Sequence, residues 1–397
     1  ACWGLGQQRS DDNKSRELLL SEYALTSSLA VGSCMTKPTR KRCLANNKAR
    51  VRPTMPSPRM QTSKTCAMAT IVGGRHNGRM NTLQATIAQL WVYPIKSCAG
   101  LLRQEAALTA TGLAWDRCFM VVDAYGEMVT QRDLPRMALI QPELNTAPDV
   151  MQMTVRAPGM PDLVLPLVLP AQVDGMQWQL EKQLQSRVAN RVKVRVWDDE
   201  VPAFDLGDEA SQWFTQFLDT SNQPSFGALR LVRFDTSHAR ESSRTWTQSH
   251  TALNQFSDGF PMLVTSIASL DMLNQRMQAQ GKAPVDMRRF RANVVLAGTE
   301  AHDEDRVAQM QITTASPNGQ QSEVVLKMVK PCPRCPIPNI DPDTAQSDTA
   351  VGDTLQGYRQ DPRLDGKITF GMNAMALQGE GQVLRVGQPV TGDWVFE

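Results

Sequence analysis

Thr86-Ile87-Ala88-Gln89-Leu90-Trp91-Val92-Tyr93-Pro94-Ile95 sets the fold. Apolar and polar side chains alternate along it as in a half-buried strand, and Pro94 ends it by removing a ladder donor. Lys96-Ser97-Cys98-Ala99-Gly100 is then a turn. Glu105 to Thr109, a turn at Gly112 and the apolar run Cys118 to Val122 follow. Ala124-Tyr125-Gly126 reads as a hairpin connection into Met128 to Thr130. Short strands at such close spacing predict a β-barrel or sandwich.

Further strands are expected at Gln152 to Val155, Leu163 to Val168, Val192 to Val196, Ala292 to Leu296 and Val324 to Val329. Val383 to Phe396 reads as two short strands around Gly387-Gln388-Pro389. Helices are few. Asp208 to Leu218 places Ala210, Trp213, Phe214 and Phe217 on one face, and Ser266 can cap a helix that runs to Gln278. Ala301 to Ser322 is polar and reads as a loop or a poorly paired hairpin.

At 397 residues, 41% hydrophobic and 21% charged, the chain has the composition of a globular protein with room for two or three packed units. No apolar run reaches the length of a transmembrane helix. The net charge of +2 hides an asymmetry. Tyr23 to Met80 carries eleven basic residues and no acidic one, while the chain from Asn81 onward is net −8. Residues 1–80 therefore read as a basic leader outside the fold, either a transit peptide or non-native sequence upstream of Met80. The acidic body argues against a nucleic-acid partner, which would need positive charge on the folded part. Cys2, Cys34, Cys43 and Cys66 lie in the leader. Cys98, Cys118, Cys332 and Cys335 lie in the body, too few for a disulfide framework, so a reduced cytoplasmic setting is expected, or an organelle if the leader targets one.

The most unusual segment is Lys330-Pro331-Cys332-Pro333-Arg334-Cys335-Pro336-Ile337-Pro338-Asn339-Ile340-Asp341-Pro342-Asp343. Its prolines fix φ and remove donors, so a rigid loop is expected, neither helix nor central strand. A thioredoxin-type site would open a helix here, and Pro336 and Pro338 would break it. A zinc site needs four ligands, and no second cysteine pair or histidine pair is present, although Cys98 and Cys118 could complete one. Two buried cysteines acting as small hydrophobes are a third reading. A thiolate ligand for a soft redox metal is the fourth and the one favoured. Asp341 either caps a turn ahead of Pro342 or serves the site. His238, His250 and His302 show no metal-ligand spacing.

Pro331 to Asp343 resembles the molybdenum-ligand loop of MOSC-domain proteins (molybdenum-cofactor sulfurase C-terminal), a family that includes amidoxime-reducing enzymes. Trp91 to Gly100 and Gly112 to Val122 resemble the opening of that family's N-terminal β-barrel. Phe290-Arg291-Ala292-Asn293 resembles its Phe-Arg-x-Asn motif, and Phe370-Gly371-Met372-Asn373 with Arg385 to Val390 resembles its last strands. The resemblance runs from about Ile87 to Val390 in consistent order. It implies a mainly β fold: a MOSC-type β-barrel over 201–397, a smaller N-terminal β-barrel domain over 81–200, and a few helices.

The resemblance also implies a molybdenum–molybdopterin cofactor, with Cys335 as metal ligand and catalytic residue. Lys96, Ser97, Arg117, Thr265, Ser266, Arg291, Asn293 and Arg334 would hold the pterin and its phosphate. Arginine forks and helix N-termini suit such groups. Cys332 is left without a role. The implied activity is reduction of N-hydroxylated substrates, with electrons from a separate flavin reductase, ferredoxin or b-type cytochrome. A cofactor or sulfur carrier is the alternative. The acidic stretch Ala301 to Val307 lacks the aromatic residue of many relatives and reads as a changed loop.

Overall fold

The computed structural model describes residues 82–167, 190–220, 223, 225–315 and 321–395. The basic leader expected at residues 1–80 lies outside them. Strands dominate, joined by four α-helices among the described residues.

Seven strands close into a barrel. Their order is Met262–Ser266, Val294–Ala297, Thr82–Val92, Pro389–Trp394, Val307–Ala315, Gln321–Pro333 and Lys367–Gln378, and the last pairs back onto Met262–Ser266. Closure removes the unpaired edges that an open sheet would expose. Alternate side chains fill the interior: Leu83, Ile87, Leu90 and Val92 from the first strand meet Val324, Leu326, Val390 and Met310. A register shift between Ile87 and Gln89 re-aims that first strand halfway along. Gly371, at φ 77°, is needed where two strands cross closely, since a Cβ there would come within 2.7 Å of the Val264 carbonyl oxygen.

The first strand thus pairs along its length with two strands from the C-terminal half of the chain, and with its sequence neighbour Leu101–Arg103 only over Leu90 to Val92. The next segments build a second region. Phe119–Val122, Arg230–Phe234, Asp199–Asp205 and Arg191–Val196 form a four-stranded sheet, and Gln141–Asn145, Gln152–Arg156 and Leu163–Pro166 a three-stranded one. The hairpin of Arg191–Val196 and Asp199–Asp205 spans residue 200, where the sequence reading divided the chain. The Asp208–Leu218 helix covers this region, burying Ala210, Trp213, Phe214 and Phe217 as its spacing predicts. Cys98 and Cys118 are buried in the same core and behave as small hydrophobes.

Two expectations are corrected. The polar stretch Ala301 to Ser322, expected to be a loop or a poorly paired hairpin, contains the nine-residue strand Val307–Ala315, which pairs in regular register with Gln321–Pro333 and sends Val307, Met310 and Ile312 into the barrel. Gln309, Gln311 and Thr313 alternate with these buried positions and are more exposed, so its mean polarity conceals a half-buried strand. The strand leading to the cysteine loop runs to Pro333, so Cys332 stands in the sheet and only the residues beyond it form the loop. Pro331 and Pro333 are tolerated because the pairing with Lys367–Gln378 is irregular there, shifting register between Met328 and Lys330 and again between Pro331 and Pro333.

Candidate functional site

Tyr93 directly follows the first barrel strand, and its ring is the floor on which two cations rest. The Arg117 guanidinium lies 4.4 Å from the ring centroid and that of Arg291 lies 4.3 Å from it. Burial pushes the Tyr93 hydroxyl up to about 12, although both arginines oppose the shift. Arg117 and Arg291 each adopt a left-handed backbone conformation, with φ 47° and 57°, that non-glycine residues avoid without local support. The support is explicit. Arg117 donates to Asp116 Oδ2 at 2.5 Å, to Asn293 Oδ1 at 3.0 Å and to the Arg291 carbonyl at 2.9 Å.

Arg291 is less well satisfied. Its Nη1 donates to the Cys98 carbonyl at 2.6 Å, whereas its buried Nη2 has no acceptor. Burial and the neighbouring Arg117 push the guanidinium down to about 10. A buried donor left unpaired costs free energy, and an anion beside it would recover that cost.

The segment Phe290 to Asn293 builds this arrangement residue by residue. Phe290 is fully buried and stacks on Phe370, with centroids 3.9 Å apart. Arg291 faces the cleft. Asn293 is buried behind it, accepting from Leu263 N at 3.1 Å and donating to the Trp91 carbonyl at 3.2 Å. Asn293 therefore orients Arg117 and ties three barrel strands together.

The cysteine loop packs beside this segment and lines the same cleft. Arg334 N donates to the Ile368 carbonyl at 2.8 Å, its Nη2 to the Phe290 carbonyl at 2.9 Å, and its Nη1 to Cys332 Sγ at 3.1 Å. Its Nε is buried with no acceptor. Cys335 is exposed, Cys332 half-buried, and the two are not joined. Asp341 proves to be a turn builder. Its Oδ1 accepts from Asp343 N and Thr344 N, both at 2.9 Å, and its Oδ2 from Arg289.

Lys96 is buried. Its Nζ donates to the Phe256 carbonyl at 2.9 Å and pairs with Asp258. Burial pushes its ammonium below the usual lysine range, against the Asp258 charge that favours it. Ser97 has φ 66°, and its carbonyl accepts from Gln131 at 2.7 Å.

Lys96, Ser97, Arg117, Arg291, Asn293, Arg334 and Cys335 line one cleft of about 120 Å³. Thr265 and Ser266, expected with them, do not line it. Both are fully buried. Thr265 Oγ1 contacts Met287 Sδ, and Ser266 Oγ accepts from Ser269 N and donates to Glu304. The helix end that would have served an anion is consumed by its own cap and a buried carboxyl.

The cleft also holds residues that sequence reasoning missed, among them Thr130, Arg132, Trp197 and the Ser257-Asp258-Gly259-Phe260 loop. The small polar pair and glycine ahead of Pro261 were a readable loop signal, though nothing local tied them to Lys96. A second cleft, about 440 Å³, shares Arg291 and Ile337 with the first.

Among the described residues no three His, Cys, Asp or Glu side chains converge to hold a metal ion. Cys98 and Cys118 sit in a separate core, so they do not complete a zinc site with Cys332 and Cys335. The donor set suits an anionic group carrying a soft metal: one accessible thiol, and the buried nitrogens Arg291 Nη2 and Arg334 Nε without acceptors.

Comparison with known proteins agrees in both halves. The MOSC N-terminal beta barrel domain model matches residues 84–221, and the MOSC domain model matches residues 252–391. Mitochondrial amidoxime-reducing component 1 of Mus musculus is 35% identical over 316 residues, covering 77% of this chain and 81% of that protein. Mitochondrial amidoxime reducing component 2 of Homo sapiens is 34% identical over 281 residues, covering 69% and 72%. Molybdenum cofactor sulfurase of Drosophila grimshawi is 28% identical over 319 residues, covering 79% of this chain but 35% of its own length.

Proposed function

The chain belongs to the MOSC family, pairing a MOSC N-terminal β-barrel domain with a MOSC domain, and on that footing we propose that it is a molybdenum-cofactor-dependent oxidoreductase acting on N-hydroxylated substrates. One observation carries the reading. The exposed Cys335 shares a single cleft with Arg291 and Arg334, each of which keeps a buried nitrogen without an acceptor. That cleft offers a soft ligand beside unused cationic donors.

Each residue has a part. Cys335 supplies the thiolate to molybdenum. Arg117 and Arg291, braced on Tyr93, meet the phosphate and the planar acceptors of the pterin, as guanidinium forks do. Lys96 and Ser97 contribute from the turn after the first strand, and Arg334 from beside the metal. Asn293 positions Arg117. Bound here, molybdenum supplies the two-electron chemistry that removing an oxygen atom from an N–OH group requires. Two electrons and two protons convert that group to N–H and water. The electrons come from a separate protein, a flavin reductase, ferredoxin or b-type cytochrome.

The similar amidoxime-reducing components are mitochondrial by name, which supports reading the Arg- and Ser-rich leader as an organelle address. Among the described residues no helix is long and apolar enough to cross a membrane.

The test uses the full chain from a molybdopterin-producing host, assayed for molybdenum content and for amidoxime reduction with a chemical reductant. The account expects bound molybdenum and turnover, with turnover lost in Cys335→Ser. Molybdenum without turnover on any N-hydroxylated compound would instead favour a cofactor carrier, a reading supported by the similarity to the sulfurase.

A further inference from the structure

Val196 and Asp199 face each other across a two-residue hairpin turn whose first central residue is Trp197, at φ 57°. Two-residue turns with positive φ at that position are normally made by glycine, because a side chain there is strained. A bulky aromatic residue is a poor choice for the backbone. Strain kept at such a point invites a functional explanation.

The indole is not used to fill a core. It is 42% exposed and lines the same cleft as Cys335 and Arg291. Two contacts hold it in place. The Arg132 guanidinium lies 4.5 Å from the indole centroid, covering one face. Trp197 Nε1 donates at 3.1 Å to Asp258 Oδ1, the oxygen that also takes the Lys96 ammonium. The ring is thus fixed by its edge and one face, and tied through a single carboxylate oxygen to a cation of the cleft.

We propose that Trp197 is a stacking platform for a planar conjugated ring seated in this cleft. A three-layer stack of guanidinium, indole and ligand ring is the arrangement the contacts prepare, since arginine stacks on indole and indole in turn on flat π-systems. The proposal rests on reading the cleft as a cofactor and substrate site. Two sources could supply the ring, the pterin of the cofactor or a conjugated N-hydroxylated substrate, and the experiment below separates them.

The experiment compares the full chain with Trp197→Gly and Trp197→Phe, all from a molybdopterin-producing host. Molybdenum and pterin per protein are measured after extended dialysis. KM and kcat are measured for an aryl amidoxime and a small alkyl amidoxime, and Tm is recorded for each protein. Trp197→Phe keeps a ring and should stay close to the parent in every reading. Trp197→Gly should melt at or above the parent, because glycine fits the turn.

If the ring is the cofactor's, Trp197→Gly loses pterin and molybdenum about two- to tenfold faster than the parent. If it is the substrate's, cofactor content holds and KM for the aryl compound rises by a similar factor, with kcat and the alkyl compound unchanged. A loaded parent with Trp197→Gly matching it in content and in both KM values overturns the platform alone. A parent that retains no molybdenum overturns the reading of the cleft, and the platform with it.

Discussion

Arg291 lays its guanidinium 4.3 Å from the centroid of the Tyr93 ring, and its buried Nη2 reaches no acceptor. A folded protein seldom leaves a buried guanidinium nitrogen unpaired unless something else is to meet it. The arrangement therefore reads as a site shaped for an anion.

Arg291→Ala tests that reading. A hydrogen bond to a charged group contributes about 1.5–3 kcal/mol. The variant should accordingly hold molybdenum cofactor about ten- to a hundredfold more weakly, read as metal retained after dialysis. Unchanged retention would mean that the cation serves only the fold.

Asn293→Ala should act on stability as well as on the site. The side chain is buried and serves Arg117, Leu263 N and the Trp91 carbonyl at once. Its loss strands at least one buried polar group, at about 1–3 kcal/mol each. Denaturant unfolding of the cofactor-free protein should show a loss of that size, together with weaker cofactor retention because Arg117 is no longer oriented.

Ser266→Ala separates cap from ligand. Ser266 Oγ caps the Ile267–Ala279 helix and bonds Glu304, away from the cleft. The expected result is a loss of about 1 kcal/mol in unfolding free energy, typical of a helix cap, with cofactor content unchanged.

Glu304 gives a pH dependence of known sign. It is fully buried and donors from Ser266 and Ser269 reach its two oxygens. Burial first, then the charge of Asp305, pushes its carboxyl from 4.5 up to about 7. The folded state therefore holds this proton more tightly than the unfolded chain does. The resulting stabilisation is complete below about pH 4.5 and is lost as pH rises through about 7. Glu304→Gln should remove that slope, gaining on the parent by up to about 3 kcal/mol at pH 8. Equal pH profiles for the two proteins would show that Glu304 titrates normally.

Much of the fold was readable because its strands alternate cleanly and its turns carry Gly and Pro, as from Thr86 to Val122. The Asp208–Leu218 helix followed from the spacing of four apolar residues. Val307–Ala315 was readable only as a loop or a poorly paired hairpin because its outward face is Gln, Thr and Ala, and its pairing with Pro389–Trp394 and Gln321–Pro333 reveals it as a barrel strand. The residues that share the cleft were legible where they sit in compact motifs, as Arg291 and Asn293 or Arg334 and Cys335 do. Thr265 and Ser266 stand apart from the cleft, and a helix start offers donors to an anion only when its own cap leaves them free. Asp258 and Trp197 were invisible for the opposite reason: each looks ordinary in its local sequence, and only the fold brings both to Lys96.

The most direct test of the central claim is the sulfur coordination of molybdenum in the full chain and in Cys335→Ser, counted by X-ray absorption on cofactor-loaded protein. The account predicts one fewer sulfur around the metal in the variant, together with loss of N–O reduction. An unchanged sulfur count in a loaded Cys335→Ser protein would contradict it and remove Cys335 from the metal.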